Sequence, residues 1–242
     1  LMPSPNRIGR PRKTALREVV NALLYMASAG GAWRLLPKDF PPFSTVQKYF
    51  YRWRDEGRLR AINNELVMVA REREGKEASP SAGVIDSQSV KTTESGGIRG
   101  FDAGKKVMGR KRHIVVDTLG LMVGLVIHAA DIQDRDGAPA VLKSILKRWP
   151  WLRHVFADGG YAGPKLRGAL QKVGKFTLEI IKRSDSAKGF EVLPRRWVVE
   201  RTFAWLGRCR RLAKAFERTI ASAEAWVFIA NIRMLTRRLA RP

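Results

Sequence analysis

The sequence has 242 residues, of which 45% are apolar, and its formal net charge at pH 7 is +24. A chain of this length and apolar content buries a core, which excludes wholesale disorder. Lys and Arg number 46 against 22 for Asp and Glu, and a surface that basic repels itself unless a polyanion neutralises it. Nucleic acid is therefore the first candidate partner, because phosphate contacts by Lys and Arg release condensed counterions.

Two less specific classes of basic protein remain as alternatives, a ribosomal-type protein and a protein of the membrane surface. The membrane-surface class is disfavoured because the basic residues are not confined to one amphipathic segment. No apolar run has the length of a transmembrane helix, and the N-terminus has no signal-peptide core. We therefore expect no membrane partner.

Cysteine and histidine are too few to build a zinc centre. Cys209 is the only cysteine, and the three histidines are scattered along the chain. A single cysteine excludes an internal disulfide and fits a reducing cytoplasm. Any metal is therefore expected to be a hard ion bound by carboxylate oxygens.

Residues 1–75 are predicted to form a small helical module. Apolar residues at helical spacing form one face of a first helix, which the glycine pair at residues 30–31 ends. Ser44 and Gln47 match a capping box ahead of a second helix, and a third helix is predicted over residues 59–72. These helices resemble a helix-turn-helix DNA-binding module. The alternative is a small helical bundle that only packs on the next domain. The arginines that favour DNA binding are Arg52, Arg54, Arg58 and Arg60.

The second segment, residues 76–242, follows a predicted linker of charged, Ser, Pro and Gly residues at 71–83. Short β-branched runs predict five strands, and the patterns between and after them predict helices. The strands are predicted at residues 83–90, 112–117, 122–128, 152–157 and 176–181, and the helices at 138–149, 164–173, 194–216 and 222–239. This α/β order is typical of a ribonuclease-H-like core, a mixed five-stranded sheet with flanking helices.

Three acidic residues lie at positions where the sequence predicts burial, and burying an unpaired negative charge is costly. Asp86 lies inside the first strand, Asp158 ends the fourth strand, and Glu200 lies on an apolar helix face. Each has a plainer alternative: a cap or salt bridge for Asp86, a turn role for Asp158, and an ion pair between Glu200 and Arg196. Metal-dependent phosphodiester cleavage needs such oxygen ligands, and two Mg²⁺ about 3.5–4 Å apart then activate the attacking oxygen and stabilise the leaving one.

Basic residues gather at two places near these acids. A run of five basic residues in eight (KKVMGRKR) lies beside a glycine-rich loop, and the helix of Glu200 carries several arginines. A solvated, disordered loop is the alternative for the first of these. Trp205 is expected in the core, and Asp131, Asp134 and Asp136 are expected to cap the following helix. The predicted DNA contacts are Lys105, Lys106, Arg110, Lys111, Arg112, Arg196, Arg201, Arg208 and Arg211.

Five stretches of the sequence form an ordered set of blocks over nearly the whole chain. They are REVVNALLYMASAGGAWRLLPKDFPPFSTVQKYFYRWRDEG, VIDSQSVKT, GRKRHIVVDT, FADGGYAG and RRWVVERTFAWLGRCRRLAKAFER. These blocks resemble those of bacterial insertion-sequence DDE transposases of the insertion-sequence-five group. The resemblance implies a ribonuclease-H-like catalytic domain, with Asp86, Asp158 and Glu200 as the metal-binding catalytic residues.

Two departures from the family pattern concern the glutamate helix and the start of the chain. Related transposases carry Tyr-x2-Arg-x3-Glu-x6-Lys; Arg196 and Glu200 match its Arg and Glu, whereas Leu193 and Gly207 stand at the Tyr and Lys positions. Arg208, next to Gly207, is the expected substitute for the Lys. The opening LMPSPNRIGRPR is similar to the middle of the family's N-terminal module, which implies a module without its first helix.

The resemblance implies a transposase that cleaves transposon-end DNA by metal-dependent hydrolysis and joins the 3′-hydroxyl to target DNA. The expected cofactor is Mg²⁺, with Mn²⁺ as a substitute, as two ions. Expected partners are double-stranded DNA, both terminal repeats and target, and further copies of the chain in a homodimer or higher multimer. The expected location is the bacterial cytoplasm, at the nucleoid. A ribonuclease of the same fold and a non-catalytic DNA-binding remnant or repressor stay open as alternatives.

Overall fold

The computed structural model describes residues 13–174, 176–181 and 195–241. Two predictions therefore lie outside the described residues. One is the interpretation of residues 1–12 as the middle of the N-terminal module. The other is the beginning of the predicted 194–216 helix, with Leu193 just before it.

Three helices form the N-terminal part, as the sequence predicts. They are α1 (Leu16–Ala29), α2 (Phe43–Asp55) and α3 (Arg58–Arg73). Helix α1 ends because Gly30 adopts the left-handed conformation, with φ of 76°, and its amide donates to the carbonyl of Met26. Helix α2 begins directly after Pro42 and has no side-chain cap. The predicted capping box at Ser44 and Gln47 is therefore wrong, since both residues lie inside the helix.

In the described part of the chain, six strands form one mixed sheet: β1 (Ala82–Lys91), β2 (Gly100–Asp102), β3 (Val107–Asp117), β4 (Met122–Ala129), β5 (His154–Ala157) and β6 (Thr177–Ile180). Strand β1 pairs antiparallel with β3 and parallel with β5, and β6 extends the sheet parallel to β5. Strands β2 and β4 both pair antiparallel with β3. The ribonuclease-H-like arrangement is confirmed. The sixth strand, β2, is not predicted because a three-residue strand in a glycine-rich loop has no hydrophobic period.

The described residues form four further helices beside the sheet: α4 (Asp134–Ile145), α5 (Pro164–Val173), α6 (Trp197–Gly207) and α7 (Ile220–Leu239). Helix α4 begins earlier than predicted. Helix α6 ends at Gly207, short of the predicted residue 216, and the chain continues through a 3₁₀ turn at Arg210–Leu212. Among the described residues, no helix is both long and apolar enough to cross a membrane.

The N-terminal helices do not have a separate core, because α7 packs against all three of them. Trp226 of α7 stacks on Phe50 of α2, with ring centroids 4.8 Å apart. The buried Asn231 amide donates to Asn63 Oδ1 at 2.5 Å, and one hydrophobic cluster runs from α1 through α7 to the sheet. The predicted boundary near residue 75 thus separates two segments that fold around a common core.

The predicted linker at residues 71–83 is partly structured. Arg71 belongs to α3, is buried, and forms an ion pair with Asp117 at the end of β3. Asp117 also accepts hydrogen bonds from the amides of Leu119 and Leu121, at 3.0 and 2.8 Å, and so closes the turn to β4. A buried charge pair therefore ties α3 to the sheet.

Candidate active site

Asp86 lies in the middle of β1, directly opposite Ile114 of β3. Its neighbours Ile85 and Ser87 are buried, and its carboxylate accepts a hydrogen bond from the Ser87 amide at 2.6 Å. Desolvation in this recessed position raises the pKa of Asp86 to about 6; the charge of Asp158 acts in the same direction, and the Ser87 amide opposes it. Asp86 is therefore a carboxylate that the fold holds in an unfavourable place for a negative charge.

Asp158 directly follows β5, the strand parallel to β1. Val84 of β1 lies opposite Phe156 of β5, so Asp86 and Asp158, each two residues further along, lie side by side. Asp158 Oδ1 accepts a hydrogen bond from the amide of Gly160 at 2.8 Å and caps the 3₁₀ turn that follows. Asp158 therefore caps a turn, as the alternative predicts, and also lies beside Asp86.

Glu200 lies on α6, and the guanidinium of Arg196 links its carboxylate to that of Asp158. Arg196 Nη2 lies 3.5 Å from Asp158 Oδ2 and 3.3 Å from Glu200 Oε1. The helical ion pair, which was the plainer alternative for Glu200, is therefore present, but the same guanidinium also contacts a carboxylate of the sheet. The Glu200 side chain is 50% exposed, so it lies at the rim of the site, whereas Asp86 lies deeper.

A fourth acid, Asp134, joins the site from the first turn of α4. Its carboxylate accepts a hydrogen bond from Ser87 Oγ at 2.7 Å and pairs with Lys111 Nζ at 2.8 Å. Lys105 Nζ donates to the Ser87 carbonyl at 3.1 Å. The prediction that Asp134 caps the helix is wrong, because the N-cap is Gln133 and no side chain caps this end. The acidic cluster was visible in the sequence, but only the fold shows which of its members faces the site.

Asp86, Asp158 and Glu200 offer oxygen donors of the kind that a hard divalent ion takes. Among the described residues, no group of three His, Cys, Asp or Glu side chains is arranged to hold a metal ion directly, and Arg196 lies between Asp158 and Glu200. Asp86 nevertheless fits a cation, because a recessed carboxylate whose pKa is raised beside a second acid is stabilised by positive charge. The donor chemistry thus fits a divalent metal.

Comparison with protein families identifies the kind of molecule to which this site belongs. A family model described as "Transposase DDE domain" matches residues 77–235. The chain belongs to this family. A second model, described as "Putative transposase of IS4/5 family", matches residues 1–63. The resemblance to bacterial insertion-sequence transposases is therefore confirmed.

Two curated proteins are similar to parts of the chain. The "Putative transposase for insertion sequence element IS402" of Burkholderia cepacia is 34% identical over 117 residues, which are 46% of this chain and 54% of the relative. The "Uncharacterized protein y4sN" of Sinorhizobium fredii is 34% identical over 71 residues, 29% of this chain and 54% of the relative. The chain thus spans about half the length of the curated relatives it matches.

The raised pKa of Asp86 gives this DDE-family chain a measurable pH dependence of stability. A pKa raised from 3.8 to about 6 means that ionised Asp86 opposes folding increasingly above about pH 4, and by at most about 3 kcal/mol once the pH is above about 6. Without divalent metal, Asp86→Asn is therefore expected to unfold at a higher temperature than the wild type near neutral pH. The gain is expected to shrink as the pH falls through about 6 and to vanish below about 4.

Thermal unfolding followed by circular dichroism over a pH series measures this difference. Asp136→Asn is the matched control, because Asp136 is an exposed acid of α4 that pairs with Lys165 of α5 at 2.7 Å. A gain for Asp86→Asn that does not change with pH would contradict the explanation.

The basic run KKVMGRKR is divided between the surface and the interior. Lys105 and Lys106 are exposed, whereas Arg110, Lys111 and Arg112 are buried. Burial lowers the pKa of Arg112 to about 10. Arg110, Lys111 and Arg112 belong to β3, which is paired on both edges and buried from residue 109 to 117. Their contact with DNA stays a prediction, and this burial disfavours it.

Arg110 stabilises the fold by joining two segments outside β3. Its guanidinium donates to the carbonyls of Ile98, Glu217 and Arg218 at 2.7, 2.7 and 2.8 Å. Arg110→Lys is expected to lower the free energy of unfolding by about 3 kcal/mol, because an ammonium group cannot reproduce the planar fork that reaches three carbonyls. Urea unfolding measures the loss. DNA affinity of the folded protein is expected to stay unchanged, and a weaker affinity at unchanged stability would show that Arg110 contacts DNA after all.

The arginines on and after α6 also have different environments. Arg211 donates to the carboxylate of Glu217 at 2.9 Å and to the carbonyl of Gly31 at 2.7 Å, so its guanidinium is engaged within the protein, and its contact with DNA stays a prediction. It holds the segment after α6 against the end of α1. Arg208 is exposed, and Arg201 is partly buried. Of the arginines predicted here to contact DNA, Arg208, Arg201 and Arg196 are therefore accessible to solvent at least in part, and Arg196 lies beside the carboxylates.

Proposed function

We propose that this chain is a DNA transposase that cleaves transposon-end DNA by hydrolysis and joins the freed 3′-hydroxyl to target DNA. The observation that carries the proposal is the convergence of Asp86, Asp158 and Glu200 around Arg196 in a chain of the DDE transposase family. Two of these acids come from adjacent parallel strands and the third from α6. Acids that converge from separate elements are what metal-dependent phosphodiester cleavage needs.

The proposal gives each residue of the site a role. Asp86, Asp158 and Glu200 would hold the divalent metal, Mg²⁺ or its substitute Mn²⁺, as two ions. When bound, such ions activate the attacking oxygen and stabilise the leaving one. Arg196 holds Asp158 and Glu200 together and presents N–H donors to a phosphate oxygen. Lys105, bound to the Ser87 carbonyl, adds positive charge beside Asp86.

The proposed partner is double-stranded DNA, as the terminal repeats of the transposon and as the target site. The contacts proposed for the duplex are Lys105, Lys106 and Arg196, with helices α1 to α3 as a further DNA-binding module. Arg201 and Arg208 are proposed to contact DNA on another side of α6. Because two transposon ends must be brought together, a homodimer or higher multimer is proposed as the active form. The proposed place of action is the bacterial cytoplasm, at the nucleoid.

Cleavage of a defined duplex tests the proposal. The full chain is incubated with a labelled duplex that contains the terminal repeats flanking its own coding sequence, with Mg²⁺, with Mn²⁺ or with EDTA. We expect a nick at the repeat boundary that leaves a 3′-hydroxyl, and joined products when a target plasmid is added, in both metals and not in EDTA. A duplex with scrambled repeats is the control. Cleavage that EDTA leaves unchanged would contradict the metal-dependent step.

The same assay separates the two alternatives. A ribonuclease of this fold would cut the RNA strand of an RNA–DNA hybrid and leave the duplex DNA intact. A non-catalytic remnant or repressor would bind the terminal-repeat duplex equally well in EDTA and cut nothing. Membership of the transposase family and the large positive charge favour DNA as the substrate.

A further inference from the structure

A cleft of about 580 Å³ lies on α6, away from the carboxylates, and none of the catalytic roles above uses it. Its walls are α6, α7 and the turn between β3 and β4. Glu200 and Arg201 are neighbours on α6 but have different contacts. Arg196 links Glu200 to Asp158. Arg201 instead donates to the carbonyl of Leu119, in the turn between β3 and β4, at 3.0 Å. Helix α6 thus has the proposed active site on one side and this cleft on another.

The cleft is strongly basic. The described residues that line it contain no Asp or Glu. At the rim, Arg238 pairs with Glu74 at 2.9 Å, which neutralises one of the positive charges. Arg201 Nε is buried and has no hydrogen-bond partner. The arginines of the lining are Arg201, Arg208, Arg233, Arg237, Arg238 and Arg241. Such a lining favours a ligand with several anionic oxygens.

Two tryptophans give the cleft an aromatic wall. Trp197, Arg201 and Trp205 follow one another at intervals of four residues on α6, so they share one helix face. The Arg201 guanidinium lies 4.3 Å from the ring centroid of Trp197 and 4.6 Å from that of Trp205. Trp197 is 42% exposed, and Trp205, expected in the core, is partly exposed as well. Exposed tryptophan beside stacked arginine is the chemistry that holds an unpaired base and its phosphate.

The size and concave shape of the cleft favour a single strand over a duplex as its ligand. Clefts of about 300–1,000 Å³ take ligands of small-molecule size, and a volume of about 580 Å³ therefore admits one or two nucleotides. A duplex keeps its bases stacked inside and needs a broad exposed surface, which this concave site does not offer.

We propose that this cleft binds an unpaired segment of a DNA strand, with phosphates on the arginines of α6 and α7 and a base against Trp197. This inference rests on the proposed function, in which one strand is cut next to Glu200. A cut end is no longer held by a continuous backbone and unpairs more readily than the interior of a duplex, and a second binding site on the same helix would retain such an unpaired end near the carboxylates.

Strand binding in EDTA tests this proposal independently of cleavage. The probe is a fluorescein-labelled single strand of about 20 nucleotides, and the comparison is the same strand annealed into a duplex. Arg208→Glu with Arg237→Glu changes both walls of the cleft at exposed positions. Lys143→Glu with Lys147→Glu is the matched control, because these exposed lysines lie on and just after α4 and undergo the same change of charge.

Fluorescence anisotropy is expected to show at least about a tenfold loss of single-strand affinity for the arginine pair and less than about a twofold loss for the lysine pair. The salt dependence of binding is expected to become shallower by about 0.7 for each phosphate contact that is lost. Trp197→Leu, which keeps the charge, is expected to weaken single-strand binding about tenfold and duplex binding hardly at all. Melting temperatures near the wild-type value show that the variants are folded.

Three outcomes would overturn the inference. Equal losses for the arginine and lysine pairs would mean that only net charge matters. Equal losses for single strand and duplex would mean that the cleft does not select unpaired DNA. If the arginine pair instead separates multimers in sedimentation and leaves strand affinity unchanged, a second copy of the chain occupies the cleft. None of these results depends on whether the chain cleaves DNA, so the two proposals fail separately.

Discussion

Asp86→Asn is expected to slow metal-dependent cleavage of terminal-repeat DNA by about 1,000-fold while metal-free binding of the same duplex stays within about twofold of the wild type. The substitution keeps the shape of the side chain and removes the charge that fits a cation. Bound metal ions supply several kcal/mol of stabilisation to phosphodiester cleavage, and each 1.36 kcal/mol corresponds to a tenfold change in rate. Single-turnover cleavage rates measure the loss, and a gel-shift assay in EDTA measures binding.

Asp136→Asn is the control for this experiment. Asp136 is an acid of α4 that pairs with Lys165 at 2.7 Å, and it belongs to the same acidic stretch as Asp134 without touching the three carboxylates. We expect it to cleave at the wild-type rate. Asp158→Asn and Glu200→Gln are expected to behave like Asp86→Asn. Wild-type cleavage by all three would remove the carboxylates from the mechanism, even if the chain remains a transposase.

Arg71→Met is expected to give the largest loss of stability, about 3–5 kcal/mol in the free energy of unfolding. Arg71 and Asp117 form a buried ion pair, and Asp117 is fully buried. Removing the guanidinium leaves the Asp117 carboxylate with two backbone amides and without an ion-pair partner among the described residues. It also frees the carbonyl of Glu77, which Arg71 binds at 2.7 Å. Urea unfolding at neutral pH measures the change.

Two further variants check this explanation. Arg71→Met combined with Asp117→Asn is expected to recover a large part of the loss, because no unpaired charge is then buried and the asparagine oxygen still accepts the backbone amides. Arg52→Met removes an exposed ion pair with Glu56, at 2.8 Å on α2, and is expected to change stability by less than about 1 kcal/mol. Similar losses for Arg71→Met and Arg52→Met would show that burial of the pair is unimportant.

The sequence predicts local structure well where a single element carries its own signal. The alternation and β-branched content of residues 83–90 give β1, and the proline and the apolar spacing of residues 164–173 give α5 with the observed limits. The three-residue β2 lacks such a signal, because its pairing with β3 depends on residues outside it. The end of α6 is also set from outside, since Arg211 binds Gly31 and Glu217 and holds the chain after the helix in another direction.

The sequence by itself predicts the candidate carboxylates Asp86, Asp158 and Glu200, from residue type, place in the elements and family resemblance. The tertiary structure decided how they meet: the parallel pairing of β1 with β5 sets two of them side by side, and Arg196 joins the third. It also decided which basic residues face solvent. Lys105 is exposed and Arg110 is buried five residues later, because the cost of burying a charge depends on the partners that other segments bring to it, and no local pattern contains those partners.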